Sequence, residues 1–219
     1  FFLMLRRPPR STLSLPDALP ILAQPSAQVP FSLTTFDGDT LRTSPAVTVD
    51  GVLRAAPAFT LFRRSDSLIA NPTAQGVSLR GLGPSGASRS LVVLDSVPLN
   101  DPFGGWVAWT KVPRESLARA EIVPGGGATA WGNAALGGVV QLFSETATAK
   151  HLRANVSAGD FGTRTGEASV TLPVGAAATL ELRGATFTTD GFSLVAPERR
   201  GAIDVDAWSR HRWVSARWH

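Results

Sequence analysis

RAEIVPGGGATAWGNAALGGVVQL occupies residues 119–142 of the chain, and GVSLRGLGPSGASRSLVVLDSVPLNDPFGGW occupies residues 76–106. In both stretches, short runs rich in Val, Leu or Ile stand beside clusters of glycine. The apolar runs predict β-strands, and the glycines predict sharp turns in which the backbone takes positive φ angles. Twelve of the 21 glycines fall between Gly76 and Gly138. This part of the chain is therefore predicted to be compact, tightly turned and rich in loops.

The segments around these stretches predict a small mixed α/β domain. VPFSLTTF (residues 29–36) alternates like a strand. TVDGVLRAA (residues 48–56) is typical of a short helix that stops at Pro57, because proline has no N–H to continue a helix. RESLARAEIV (residues 114–123) is expected to begin as a short helix and to become a strand at residues 120–123.

From His151 onward the pattern changes to segments of about ten residues that alternate with a period of two. Within TRTGEASVTLPVG, one face carries Ala168, Val170 and Leu172, and the other carries Glu167, Ser169 and Thr171. Likewise, WSRHRWVSARWH places Val214, Ala216 and Trp218 on one face. Such segments are typical of an outer-membrane β-barrel, although a soluble β-sandwich also alternates. Small apolar residues on one face and charges on the other favour the barrel.

Composition excludes several classes of protein. The chain has no cysteine, which excludes a disulfide scaffold, a zinc finger and thiol catalysis. Its net charge of +4 falls to +2 without residues 1–21, because that segment holds three arginines and one aspartate. No basic stripe that would suit nucleic acid remains, so we expect no nucleic-acid partner. No apolar run reaches the length of about 18 residues that a membrane-spanning helix requires.

The leader, residues 1–28, is expected to be non-native or disordered. Its first part, FFLMLRRPPRSTLSLPDALPI, does not begin with Met and is interrupted by four prolines. It resembles the translated read-through of a sequencing adapter. The alternative is a damaged signal peptide that ends near Ala23 or Ala27, since a secretory signal needs a continuous apolar run after its positive charges.

The sequence contains short matches to catalytic and cofactor-binding motifs, but the neighbouring elements and spacings that these motifs require are not predicted beside them. Residues 81–86 match G-x-G-x-x-G, but the next element is a strand rather than the helix that a dinucleotide site requires. The three histidines, His151, His211 and His219, have no metal-ligand spacing and are interpreted as ordinary strand residues. We therefore expect no enzyme activity, no cofactor and no bound metal.

Four motifs in order resemble the plug domain of TonB-dependent outer-membrane receptors. TVDGVLRAAPAF is similar to the family's short helix and turn, and residues 76–106 are similar to its "RG" strand, loop and "DG-V-P" strand. Residues 119–142 are similar to its "R-I-E-V-x-R-G-P" segment and the "G-G-V-I-N" that follows. Ser96 stands where the family usually has glycine. The resemblance implies an α/β plug domain at residues 29–146, with a small mixed sheet, short helices and glycine-rich loops. The first antiparallel strands of a truncated transmembrane β-barrel would follow at residues 147–219.

The resemblance also implies a function. It predicts a fragment of a receptor for active uptake of a scarce nutrient, a ferric siderophore or cobalamin, across the outer membrane of a Gram-negative bacterium. The implied partners are a TonB-type energy-coupling protein, the small-molecule ligand and outer-membrane lipid, with the plug facing the barrel lumen. The alternative is a binding-only surface module that recognises a partner without transport.

Two groups of site residues are implied by the same resemblance. The first, a lock between plug and barrel wall, consists of Arg80, Arg89 and Glu121; the alternative is that these are solvent-facing strand charges. The second lies in two loops expected to reach toward the ligand, and consists of Pro84, Ser85, Ser88, Asp101, Phe103 and Trp106. For the aromatic members, the alternative is packing within the plug itself.

Overall fold

The computed structural model describes residues 32–63, 65–82, 88–125, 131–145, 150–174, 178–193 and 195–218. The expected leader and the G-x-G-x-x-G loop lie largely outside these residues. We call residues 32–145 the N-terminal domain and residues 151–218 the C-terminal sheet. The strands of the N-terminal domain are β1 (Thr34–Asp37), β2 (Phe59–Leu61), β3 (Val77–Leu79), β4 (Ser90–Leu94), β5 (Val97–Pro98), β6 (Leu117–Pro124) and β7 (Gly138–Ser144).

These strands form a five-stranded mixed sheet in the order β1–β6–β7–β4–β5, beside a separate antiparallel pair of β2 and β3. Strands β4 and β7 are parallel, and the other neighbours in the large sheet are antiparallel. The prediction that the segment at residues 114–123 changes from helix to strand is confirmed in outline. The helical part is only a 3-10 turn at Arg114–Ser116, and β6 begins at Leu117 because that side chain is fully buried in the core.

Two short α-helices precede the large loops. Helix α1 (Gly38–Thr43), which the sequence pattern did not predict, begins where the Asp37 carboxylate accepts the Thr40 N–H at 2.7 Å. This hydrogen bond lowers the pKa of Asp37, because it stabilises the charged carboxylate. Helix α2 (Val49–Leu53) lies within the predicted helical segment. Further 3-10 turns lie at Pro72–Ala74, Trp109–Lys111, Asn133–Ala135 and Pro197–Arg199.

The N-terminal domain has its own apolar core between one face of the large sheet, the two helices and the β2–β3 pair. Trp109 is 2% exposed and packs edge-on against Phe59, with ring centroids 6.2 Å apart. The largest fully buried members include Leu41, Leu53, Leu79, Leu117, Ile122 and Leu142. Burial of this many large side chains is the main favourable contribution to the stability of the domain.

The C-terminal sheet is an antiparallel meander in the order β11–β10–β9–β8. Its strands are β8 (His151–Ala158), β9 (Arg164–Val174), β10 (Ala178–Thr189) and β11 (Ser209–Trp218). In the observed register the predicted faces are confirmed, since Val170 pairs with Leu182 and Thr171 pairs with Glu181. The connection over residues 175–177 is short, and the connection over residues 190–208 is long.

Burial in this sheet is inverted relative to the N-terminal domain. Its inner face lies against the N-terminal domain and buries polar side chains such as Glu181 and Arg183. Its outer face exposes apolar ones: Val156 and Val214 are each 83% exposed. Within the described residues, no helix is long and apolar enough to cross a membrane.

Candidate functional site

Polar contacts join the N-terminal domain to the C-terminal sheet at one end of their interface. Arg153 on β8 donates to the Glu145 carboxylate at 2.6 Å and to the Glu115 carbonyl at 2.8 Å. Arg183 on β10 donates to the Glu145 carbonyl at 3.3 Å and also pairs with Glu181 on its own strand. These two arginines therefore hold the chain directly after β7.

A third arginine, Arg217 on β11, reaches the hairpin between β4 and β5. Its guanidinium lies 2.6 Å from the Asp95 carboxylate and also donates to the Ser144 hydroxyl. Asp95 in turn accepts hydrogen bonds from the Ser144 N–H at 2.8 Å and the Ser144 hydroxyl at 2.7 Å. Together, Arg153, Arg183 and Arg217 form what we call the arginine anchor.

The hairpin geometry explains why the anchor is placed there. Asp95 and Ser96 have φ angles of 48° and 71°, as a two-residue turn with positive φ at both positions requires. Ser96 therefore occupies a backbone conformation that glycine adopts more easily, which accounts for the glycine usual at this position in the family it resembles. The turn directs the Asp95 carboxylate back toward the end of β7 and toward Arg217.

The charge on Glu145 is favoured by its surroundings. Hydrogen bonding from Arg153 is the largest cause that lowers the pKa of Glu145, and Arg42, 3.9 Å away, acts in the same direction. A carboxylate between two guanidinium groups remains ionised at neutral pH. The anchor is therefore a charged contact near pH 7, in which Glu145 contributes the negative partner.

The opposite end of the interface has a different chemistry. The Leu68 carbonyl accepts a hydrogen bond from the Ser209 hydroxyl at 2.5 Å and lies 2.7 Å from His211 Nε2. A carbonyl oxygen can only accept, so His211 donates from Nε2. Nearby, burial is the main cause that raises the pKa of Asp66, and the charge of Asp50 adds to it. Among the described residues, the contacts across this end meet at one backbone carbonyl, and no ion pair joins the two regions there.

Two cavities lie along the interface between these ends. The larger, about 580 Å³, is mostly apolar, and its wall includes Phe161, Phe187 and Phe192. The smaller, about 250 Å³, is more polar, with Glu115 and Glu167 in its wall. Leu68 and Phe187 contribute to both walls, so the contact at the Leu68 carbonyl lies where the two cavities adjoin.

The predicted lock residues do not meet one another. Glu121, on β6, is 2% exposed, and its ion pair is with Arg119, at 3.1 Å from Nε to Oε1. Burial raises the pKa of Glu121 despite this pair. Arg80 and Arg89 are exposed, and no described carboxylate lies within 4.0 Å of either. A role for these residues at a barrel wall stays a prediction.

The described end of the first predicted ligand loop contacts the second, since the Ser88 N–H donates to the Gly105 carbonyl at 3.2 Å. Asp101 uses its carboxylate within its own turn, accepting the Phe103 and Gly104 N–H groups at 3.0 and 2.6 Å. Phe103 is 99% exposed and is free to contact a ligand.

Other members of the ligand-loop group have structural contacts. The Ser88 hydroxyl donates to the Val77 carbonyl at 2.9 Å. The Trp106 ring lies over Gly104, where an added Cβ would come within 1.7 Å of the ring. Pro84 and Ser85 lie outside the described residues.

Sequence reasoning missed the arginine anchor. Its signal was present in part, because all three arginines stand at polar positions of alternating strands and were thus expected to face inward. What the pattern does not contain is the identity of their partners. Asp95 and Glu115 lie in distant parts of the chain from Arg217 and Arg153, and Glu145 lies outside the strands, eight residues before Arg153.

Known proteins resemble this chain in sequence. The family model described as "TonB-dependent Receptor Plug Domain" matches residues 25–139. The ferrienterobactin receptor of Escherichia coli (strain K12) is 29% identical over 136 residues, which cover 56% of this chain and 17% of that protein.

Solved structures share the fold. The siderophore receptor PirA from Pseudomonas aeruginosa matches with a TM-score of 0.57 at 22% identity, over 87% of this chain and 32% of its own. The ferric yersiniabactin uptake receptor FyuA from Yersinia pestis matches with a TM-score of 0.59 at 15% identity, over 86% of this chain and 28% of its own. This chain thus spans less than a third of each of these relatives. The predicted fold class, a plug domain followed by antiparallel barrel strands, is confirmed. Because the family model covers more than half of the residues, the chain belongs to the TonB-dependent receptor plug-domain family.

Proposed function

We propose that this chain is the N-terminal part of a TonB-dependent outer-membrane receptor for active uptake of a scarce nutrient. The substrate is a ferric siderophore or cobalamin, and the names of the relatives support the siderophore. The observation that carries the proposal is the inverted burial of the C-terminal sheet. A polar inner face packed on a separately cored domain, with an apolar outer face, suits a barrel wall around a plug.

The remainder of the barrel is proposed to come from further strands. Within the described residues, β8 and β11 each pair on one side only. Closed barrels need at least about eight strands, and an open sheet edge is unfavourable in lipid because its N–H and C=O groups have no water to bind. The four strands therefore require additional strands before they can span the outer membrane of a Gram-negative bacterium.

In this proposal the N-terminal domain closes the pore and forms part of the ligand site. Exposed Phe103 offers an aromatic surface for the ligand on the loop shaped by Asp101 and Trp106. A TonB-type energy-coupling protein displaces the domain, so that ligand passes to the periplasm. The arginine anchor resists that displacement at one end of the interface, and Arg80, Arg89 and Glu121 act as a lock against the remaining wall.

The test is uptake by the complete receptor, expressed from the DNA that flanks this sequence. Cells with and without a functional TonB-type protein receive radiolabelled ferric siderophore or cobalamin. We expect accumulation only in cells with the coupling protein, and surface binding in both. Equal accumulation without it would contradict energy-coupled uptake. Binding without accumulation in either strain would favour the binding-only module.

The ligand loop supplies a matched pair of variants for the same assay. Phe103→Ala removes the 99% exposed ring and is expected to weaken ligand binding. Val97→Ala, 63% exposed on β5 outside the loop, is the control. Equal binding by both variants would mean that Phe103 is not part of the ligand site. It would not bear on uptake, which the comparison with and without the coupling protein tests.

A further inference from the structure

The outer face of the C-terminal sheet carries charge at one end only. Its positions are the even-numbered residues of β8 to β11, which point away from the N-terminal domain. All of them are apolar, glycine or threonine except Arg164, Arg210 and Arg212, and none is acidic. The three arginines are exposed, and no ion pair or hydrogen bond joins their guanidinium groups to a described residue.

Strand register brings these arginines together. Arg164 and Arg210 pair with Thr188 from its two sides, so the three residues form one row across three adjacent strands. Arg212 pairs with Thr186, one outer-face position further along β11 and β10. With strands about 4.8 Å apart, this places three guanidinium groups and two hydroxyls on one small patch.

The patch lies at the end of the sheet that faces the cell exterior in an outer-membrane barrel. Such barrels have short periplasmic turns and longer extracellular loops. The connection next to the patch, between β10 and β11, spans residues 190–208, whereas only three residues, 175–177, separate β9 from β10 at the other end. Trp208, 72% exposed, precedes β11 at the same end, as expected for an aromatic residue at a membrane surface.

The apolar part of the outer face sets the depth of the patch. On β9 it runs from Gly166 to Val174, about 26 Å along the strand at about 3.3 Å per residue. Allowing for the usual strand tilt, this approaches the apolar band of about 25 Å in outer-membrane barrels. An arginine on the lipid-facing side is unfavourable at mid-membrane and nearly neutral at the surface, so the patch belongs at the outer surface.

We infer that Arg164, Arg210 and Arg212, with the hydroxyls of Thr186 and Thr188, bind phosphate groups of an anionic glycolipid in the outer leaflet. Guanidinium groups bind phosphate through paired hydrogen bonds, and the apolar band beside the patch accommodates the acyl chains. Because the face holds no acidic residue, nothing on it competes for the arginines. This inference rests on the proposed placement of the sheet in the outer membrane.

The test uses the complete receptor in nanodiscs that contain either a bisphosphorylated lipid A or the same lipid after enzymatic removal of its phosphates. Bound lipid is measured by native mass spectrometry. The triple variant Arg164→Gln/Arg210→Gln/Arg212→Gln is compared with Arg54→Gln/Lys111→Gln/Lys150→Gln, which loses the same charge from exposed positions outside both the patch and the 190–208 connection. We expect the patch variant to bind the phosphorylated lipid on the order of 100-fold more weakly, and the control to stay within about twofold of wild type.

Equal binding of the two lipids by wild type, or equal loss in both variants, would overturn the inference. Inorganic phosphate that binds the patch while the lipid does not would also overturn it. If the Gln variant fails to assemble, the variant Arg164→Lys/Arg210→Lys/Arg212→Lys takes its place, because it keeps the charge but cannot form the paired hydrogen bonds of a guanidinium group. We expect this variant to bind the phosphorylated lipid with intermediate strength. Unchanged binding would contradict phosphate recognition by the guanidinium groups. A receptor that does not enter membranes contradicts the proposed function, whereas one that enters them without lipid preference contradicts only this inference.

Discussion

The N-terminal domain and the C-terminal sheet of one chain distribute their residues in opposite ways. In the first, Leu53 and Leu142 are buried at 0% and 1% exposure. In the second, Arg183 is buried at 6% while Leu152 is 74% exposed. The first arrangement suits a domain surrounded by water, and the second suits a wall with lipid outside and protein inside.

The comparison shows that hydrophobicity alone does not locate a core. The same period-two alternation places apolar residues inward in β6 and outward in β9, because what lies beyond each sheet differs. Whether a side chain is buried or exposed therefore depends on what packs against its sheet as well as on its own chemistry.

Separating the two regions should have the largest effect. Residues 29–146 are expected to fold alone as a soluble domain, because their apolar core is complete. Residues 151–219 are expected to be disordered or to aggregate in water, because their outer face is largely apolar and, among the described strands, β8 and β11 each leave one edge unpaired. Circular dichroism and size-exclusion chromatography of each piece measure this. A cooperative, monomeric, β-rich 151–219 in water would contradict the barrel assignment.

The predicted lock gives the next test, made in the complete receptor. If Arg80 and Glu121 hold the domain in a narrow lumen, Arg80→Ala or Glu121→Ala should cost about 3–5 kcal/mol of attachment and raise passive leakage. Barrel assembly should be unaffected. Conductance across a planar bilayer reports the leakage.

The same conductance measurement compares the lock with the arginine anchor. Arg217→Ala removes the partner of Asp95 in a partly exposed contact, so about 1 kcal/mol and a small leak are expected. If both lock variants stay as closed as wild type, Arg80 and Glu121 are ordinary residues of the N-terminal domain and the lock assignment is wrong. A larger leak from Arg217→Ala than from either lock variant would assign the main attachment to the anchor.

Two leucines of the N-terminal domain sharpen the contrast in burial. Leu142→Ala, at a position 1% exposed on β7, should lower the free energy of unfolding by about 2–5 kcal/mol, through lost burial and a cavity. Leu136→Ala, at a position 56% exposed, removes the same atoms and should change it by less than about 0.5 kcal/mol. Urea denaturation of residues 29–146 measures both. Similar losses for the two variants would mean that the described core is wrong.

A change of pH should affect the arginine anchor and the interior of the N-terminal domain with opposite signs. The pKa of Glu145 is lowered in the folded chain, so its contribution to the anchor is complete above its usual value of 4.5 and is lost as pH falls through the lowered pKa. The pKa values of Asp66 and Glu121 are raised by burial, so the N-terminal domain loses stability as pH rises from their usual values of 3.8 and 4.5 through the raised ones. The Glu145 contribution to the stability of the anchor is expected to be about 1 kcal/mol or less, because that contact is partly exposed to solvent.

Denaturation of residues 29–146 between about pH 4 and pH 8 isolates the domain, and denaturation of the complete receptor from about pH 2 upward adds the anchor. Glu121→Gln and Asp66→Asn should each reduce the dependence of the domain's free energy of unfolding on pH. Glu145→Gln should remove the low-pH loss in the receptor. A domain that gains stability as pH rises through this range would contradict the buried, raised carboxyls.

Local patterns predicted much of the fold. The helix at α2, the strands β3 and β4 and the faces of β9 and β11 follow from proline, apolar runs and alternation within a few residues. Helix α1 was missed although Asp37 is a favourable N-cap, because its six residues are too short for a helical period to be recognised. The family resemblance predicted that both ligand loops reach toward the ligand, which stays a prediction; that Ser88 bonds to Gly105 was not predicted.

The sequence by itself determined where the chain turns and which side chains share a face, because backbone conformation and the period of a strand are set by adjacent residues. Only the tertiary structure decided which charges meet. Arg217 meets Asp95, which lies far earlier in the sequence, while Glu121 pairs with Arg119 two residues away rather than with Arg80. An ion pair needs its two groups within about 4 Å, and that distance depends on how every intervening element packs. The local sequence pattern therefore does not determine which charged groups come within that distance.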